Sequence, residues 1–168
     1  YVLAAHSGRG MVRNWNDSVQ ISKGNMSQRY LQLFDQHGTI SYDFKAYRPQ
    51  LVLINLGTND YSTTVTPSVE QYVGAYVRLI ELVRKQYGPV PVICIRPHSA
   101  GAYLSASFKV LQQRLSAHKD VHFAEFMPGI ITVEKDLGAS YHPNYSGQQK
   151  LCMTLVPLVS AVMGWEIN

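Results

Sequence analysis

Acyl transfer from an ester needs a nucleophile, a base to take its proton, and N–H donors to hold the oxyanion. Short blocks of this chain supply two of these parts. Asn55-Leu56-Gly57-Thr58-Asn59-Asp60 follows an apolar run and carries a side-chain amide at Asn59. Ser140-Tyr141-His142-Pro143-Asn144 places an imidazole in a polar loop ahead of a helical pattern. A third block, Ser7-Gly8-Arg9-Gly10, offers a backbone N–H at Gly8, where a side chain would obstruct a substrate. His142 is the best candidate for the base, and Asn59 and Gly8 are candidates for oxyanion donors. Asp60 reads as the residue that holds the turn, not as a base. Each residue alone also has an ordinary reading, as a loop histidine or as turn chemistry. His6, His37, His98, His118 and His122 keep that ordinary reading. No nucleophilic serine is evident.

These blocks need a scaffold, and the apolar pattern predicts one. Runs at 1–5, 51–56, 90–95 and 121–124 read as strands, the second and third as buried ones. Between the second and third lies a helix with Thr66 as cap, Pro67 in its first turn and Glu70 at its positive end. Val69, Tyr72, Val73, Tyr76, Leu79, Ile80 and Val83 recur on one face, and Gly88-Pro89 stops it. A second helix spans 103–118, with Leu104, Phe108, Leu111 and Leu115 on one face. A third spans 146–163, where Pro157 is expected to kink or end it. The segment 17–36 is expected to be helical in its second half, around Tyr30-Leu31-Gln32-Leu33-Phe34.

Alternating strands and helices imply a parallel sheet covered on both faces, a three-layer α/β/α sandwich. In such sheets chemistry gathers at the carboxyl ends of the strands. The segments 7–10, 57–60 and Arg96-Pro97-His98 all fall there.

Size and composition fit one ordered domain. The 168 residues are 46% hydrophobic and 15% charged. Fifteen basic against 11 acidic residues give a net charge of +4, scattered without a run, so neither nucleic acid nor membrane is an expected partner. No apolar stretch is long enough to cross a bilayer, and no signal peptide is visible. Cys94 and Cys152 show no metal-ligand spacing and read as two buried free thiols. No metal or other cofactor is expected.

The blocks together carry a resemblance. Leu56-Gly57-Thr58-Asn59-Asp60 with His142-Pro143-Asn144, and Ser7-Gly8 after a strand, resemble the SGNH (GDSL-type) hydrolase superfamily, a flavodoxin-like α/β/α fold. The longer strings at 5–11 and 54–62 are similar to carbohydrate esterase family 2, acetyl esterases acting on plant polysaccharides such as xylan and glucomannan. The resemblance implies a secreted serine esterase with an acetylated polysaccharide as substrate. It assigns Gly8 and Asn59 to the oxyanion hole and His142 to the base.

Two departures accompany it. The superfamily's nucleophile sits in a Gly-Asp-Ser block on a strand before the Gly block, and this chain has none; Asn16-Asp17-Ser18 comes after that block. The expectation is that residues 1–168 are the C-terminal part of a catalytic domain, with the nucleophile strand and a β-sandwich domain lying upstream of Tyr1. That upstream segment is then an expected partner. The superfamily also places Asp three residues before the His, and here that position is Ala139. Either Asp136 folds back to the ring, or His142 works in a Ser–His dyad with a backbone carbonyl. Trp15 and Tyr61 can stack on sugar faces at the rim. Other SGNH esterases or lipases, a sugar O-acetyltransferase, and a non-catalytic carbohydrate-binding module remain open alternatives.

Overall fold

The computed structural model describes residues 1–33 and 39–167. Three strands, β1 (Val52–Ile54), β2 (Val92–Ile95) and β3 (Val121–Ala124), form a parallel sheet in that order. Val52 pairs with Val92, and Val92 with Val121. All four residues of β2 are buried, which is why its sequence is apolar without alternation: both its faces are covered.

One face is covered by α2 (Val69–Tyr87) and α3 (Ala102–Arg114). Tyr72, Tyr76, Leu79, Ile80 and Val83 of α2 and Leu104, Phe108 and Leu111 of α3 enclose Ile54, Val92, Cys94 and Val121. The Tyr72 hydroxyl donates to the Leu56 carbonyl and the Tyr76 hydroxyl to that of Ile54, each at 2.8 Å. The helix thereby takes up carbonyls at the carboxyl end of β1, where the Asn59 turn begins. The opposite face, Ile93, Ile95, Ala124 and Phe126, receives Leu151, Leu155, Leu158, Val159 and Val162 of α5 (Tyr145–Met163). The result is the α/β/α sandwich expected from the sequence.

Several local expectations change. The cap of α2 is Ser68, two residues beyond Thr66. Ser68 Oγ accepts from the Gln71 N–H while Gln71 Oε1 accepts from the Ser68 N–H, a reciprocal pair that Thr66 could not make. Pro157 does not end α5; it is exposed, and leucines and valines on both sides of it pack against the sheet within one continuous helix. Among the described residues of 17–36, only Met26–Arg29 (α1) is helical, capped by Asn25 Oδ1 on the Gln28 N–H. Beyond it the chain pairs as an extended segment, with Leu33 N–H on Ile40 O and Tyr42 N–H on Leu31 O, both 2.9 Å. Tyr30 and Tyr42 each pack against Phe44, which in turn meets Tyr87. The remainder of that expected helix, Phe34 to Gln36, and His37 lie outside the described residues.

The run 1–5 is not a strand. Tyr1, Val2 and Leu3 are exposed, and among the described residues nothing pairs with them. A strand needs a neighbour for its backbone groups, and propensity alone does not supply one. β1 is likewise buried on one side only, with Leu53 48% exposed. Both cysteines are free, but Cys152 is exposed; only Cys94 is buried, and burial pushes its thiol up to about 12. Among the described residues no helix is long and apolar enough to cross a membrane.

The reciprocal cap gives a direct test. Ser68→Ala should lower unfolding free energy by about 1 kcal/mol in denaturant titration, and Thr66→Ala by less than about 0.5 kcal/mol.

Candidate active site

The site is organised by one buried carboxylate. Asp60 lies in a 3₁₀ turn, Asn59–Tyr61, just past β1 and is fully buried. Its oxygens accept the backbone N–H groups of Met11 at 2.8 Å, Val12 at 2.6 Å and Arg13 at 3.0 Å. Burial pushes its carboxyl above the ordinary value, and the three N–H groups pull the other way. Arg13, also fully buried, reaches back: Nη1 donates to the carbonyls of Asn59 and Asp60 and to Ser62 Oγ, and Nη2 to Thr63 Oγ1 and the Asp17 carbonyl. Two loops almost 50 residues apart are therefore one rigid unit. The role expected for Asp60, holding the turn, is thus wider than the turn itself.

Gly10 makes this approach possible. A Cβ there would collide with the Arg13 carbonyl and come 2.5 Å from Asp60 Oδ2. Gly8 is used differently. Its φ is +75°, a region that side chains rarely adopt, while a Cβ would meet nothing nearer than Trp15 Cβ at 3.8 Å. Asn59 Nδ2 donates to the Arg9 carbonyl at 2.8 Å, which brings its amide to the residue after Gly8. One of its two N–H groups is used in this way, and the other has no hydrogen-bond partner among the described residues. Trp15 donates its backbone N–H to Gly8 O at 2.7 Å and leaves its side chain 63% exposed at the same spot.

His142 follows a second 3₁₀ turn, Ala139–Tyr141, and is exposed. Its backbone is fixed from both sides: its N–H donates to Ala139 O, and its carbonyl accepts from the Gly138 N–H at 2.7 Å. Ser140 and Tyr141 both have positive φ, 53° and 58°. Two consecutive non-glycine residues in this region mark a turn held by its surroundings. Among the described residues no serine hydroxyl bonds the His142 ring.

Asp136 does not reach His142. It is buried at the end of a short helix, α4 (Val133–Asp136), and its carboxylate accepts from the Thr132 N–H and hydroxyl, the Ser146 hydroxyl and Lys150 Nζ. The Lys150 ammonium at 2.7 Å, with the Thr132 N–H, holds its carboxyl far below the usual carboxylate range. This acid anchors α5 and the His142 loop. It is not an orienting partner for the imidazole.

His98 was set aside in the sequence and belongs here. It follows β2, and its pKa is lowered, first by burial and then by the charge of His142. The carboxyl end of β2 lies beside the same end of β1, where the Asn59 turn begins. Tyr61 departs from the rim role expected of it. Its hydroxyl donates to the buried Ser107 at 2.8 Å and its ring packs edge-on against Tyr72, so it belongs to the core. Arg96 is held by Glu125 at 2.8 Å. Exposed aromatic rings missed in the sequence are Tyr103, Tyr141 and Tyr145, in the segments that follow β2 and flank His142. Their signal was available: each is an aromatic residue at a helix start or beside the histidine.

The profile of the GDSL-like Lipase/Acylhydrolase family matches residues 2–150. The chain belongs to this family. It is 28% identical over 169 residues to a cellulase/esterase, CelE, of Acetivibrio thermocellus, covering 97% of this chain and 20% of that protein. It is 21% identical to an acetylxylan esterase/glucomannan deacetylase of Cellvibrio japonicus, again over 97% of this chain and 44% of the relative. A family two carbohydrate esterase from Clostridium thermocellum, solved in complex with cellohexaose, superposes with a TM-score of 0.81 at 27% identity, covering 95% of this chain and 49% of that one. The chain thus spans less than half the length of these relatives. The parallel sheet and its helices are the fold of these family two esterases.

Two tests follow from the buried carboxylates of this GDSL-like domain. Asp60→Asn turns an acceptor into a mixed donor among backbone N–H groups. It should cost about 3 kcal/mol by denaturant unfolding. Gly10→Ala should be at least as damaging, whereas Gly8→Ala should cost only about 1–2 kcal/mol. For Asp136 the folded pKa lies below the unfolded one. Its stabilisation is therefore complete above about pH 4 and is lost as pH falls below that value. Lys150→Met should flatten the stability gain between about pH 2 and pH 4, read by thermal melts across that range.

Proposed function

We propose that this chain supplies the base and the oxyanion donors of a serine-dependent esterase that removes acetyl groups from plant polysaccharides, with xylan and glucomannan as substrates. The observation that carries this reading is the Asp60 clamp. It fixes the Gly8 loop against the Asn59 amide just past the carboxyl end of β1. The names of the related esterases support the substrate class.

In this reading His142 takes the proton of a serine hydroxyl as it attacks the acetyl carbonyl. The Gly8 N–H and the second Asn59 N–H hold the tetrahedral oxyanion, and the alcohol of the sugar leaves with the proton from His142. Water, activated by His142, then releases acetate and restores the serine. The serine comes from a segment upstream of Tyr1. The exposed side of β1 and the exposed run 1–5 give such a strand backbone partners and an apolar seat. With Asp136 committed to Lys150, His142 works without a carboxylate, as a Ser–His dyad. Trp15 and the exposed tyrosines at 103, 141 and 145 offer flat apolar faces to sugar rings. A polysaccharide substrate of this size is met outside the cell, so the intact protein is secreted.

A second reading, a carbohydrate-binding module using the same cleft, is favoured by one feature: no carboxylate orients His142. Acetate release separates the two. In the full-length protein on acetylated xylan or glucomannan, His142→Ala should lower kcat by at least about 10³-fold. Asn59→Ala should lower it by about 10²-fold or more. Binding of glucan without any acetate release from the unaltered protein would establish the binding module instead.

A further inference from the structure

A pocket of about 320 Å³ opens between the Gly8–Arg13 loop, α1 and α2. Val12, Ile21 and Leu82 give it apolar walls, and Gln28, Gln71 and Arg78 bring polar ends to it. None of the described residues that line it is acidic. The two glutamines are oriented by the backbone. Gln28 Oε1 accepts the Gly24 N–H at 2.6 Å, and Gln71 Oε1 accepts the Ser68 N–H at 2.7 Å. In each, the acceptor end is occupied and the NH₂ end is left as a donor.

Arg78 completes the set. Its side chain lies along α2, with Nη1 3.3 Å from where a Cβ on Gly74 would be. Among the described residues it has no carboxylate and no hydrogen-bond acceptor. Arg84, Arg96 and Arg114, by contrast, hold Asp120, Glu125 and Glu70. A concave site with two amide donors, one unmatched guanidinium and no acid is suited to a carboxylate. Its volume and apolar walls suit a sugar ring. Its wall is continuous with the catalytic loop: the Val12 N–H is one of the three held by Asp60.

We propose that this pocket is a subsite for a uronate, a carboxylate-bearing sugar carried by the polysaccharide close to the acetylated residue. The proposal rests on the esterase reading above and extends it from neutral to acidic polysaccharides. The guanidinium and the two amide NH₂ groups bind the carboxylate, and Val12, Ile21 and Leu82 contact the ring.

The test uses the full-length protein and two probes: a xylo-oligosaccharide bearing one glucuronate, and the same oligosaccharide with the carboxyl reduced to an alcohol. Affinities are measured by calorimetry on the His142→Ala variant, so that no turnover is needed. The uronate probe should bind about tenfold more tightly, an advantage that shrinks as salt is raised. Arg78→Gln should bring the two affinities to within about twofold, with a melting temperature that reports folding. Equal affinities in the Arg78 protein, or a uronate preference that survives Arg78→Gln, would overturn the subsite. The two readings fail separately: uronate preference without acetate release removes the esterase and keeps the subsite. Acetate release without uronate preference does the reverse.

Discussion

A carboxylate buried among backbone N–H groups carries the arrangement of the site. Asp60 belongs to the turn after β1, and the three N–H groups it accepts belong to a loop near the start of the chain. Desolvating a carboxylate is costly, and the cost is offset only when its lone pairs are filled. Arg13 answers from the loop with its own buried charge, donating to carbonyls around Asp60. The loop's carbonyls are then taken by Ser22, Asn25 and Met26, so little of its backbone is left unpaired. Around this exchange the positions of Gly8, Arg9 and Asn59 follow with little freedom.

The second anchored unit is the His142 loop, and it has the same logic with different partners. Asp136 gathers Thr132, Ser146 and Lys150 and holds α4 to α5. The backbone of the same residue accepts the Asn144 N–H, closing the loop beside the histidine. A carboxylate near a catalytic histidine in sequence is easily taken for its orienting acid. Here its hydrogen bonds are spent on architecture, and the loop's own backbone bonds hold the residue that carries the imidazole.

Much of this was legible in the sequence. The buried strand β2 announced itself by the apolar run at 90–95, β1 by the run at 51–56, although β1 is covered on one side only, and α2 and α3 by apolar faces of helical period. The Asn59 block and the segment 96–98 could be placed at strand ends by topology alone. What could not be read was pairing over distance. Nothing local says that Asp60 serves residues 11–13, that Asp136 prefers Lys150 over His142, or that Tyr61 turns inward to Ser107. The run 1–5 has strand composition but no neighbour, and Tyr30–Leu33 has helical composition but pairs across to Ile40 and Tyr42. Propensity describes what a segment can be, and its partners decide what it is.

The split between clamp and rim has a consequence for how such a site changes over time. Trp15, Tyr103, Tyr141 and Tyr145 all have side chains more than 60% exposed. None of these rings contributes to the Asp60 or Asp136 networks. Exchanging one for another ring, or for a small residue, disturbs no buried hydrogen bond, so selection can alter them at little cost in stability. The backbone of the loops is locked by buried groups, whereas the exposed rings around them are free to drift. A lineage built this way can remake its aromatic surface without rebuilding the scaffold beneath it.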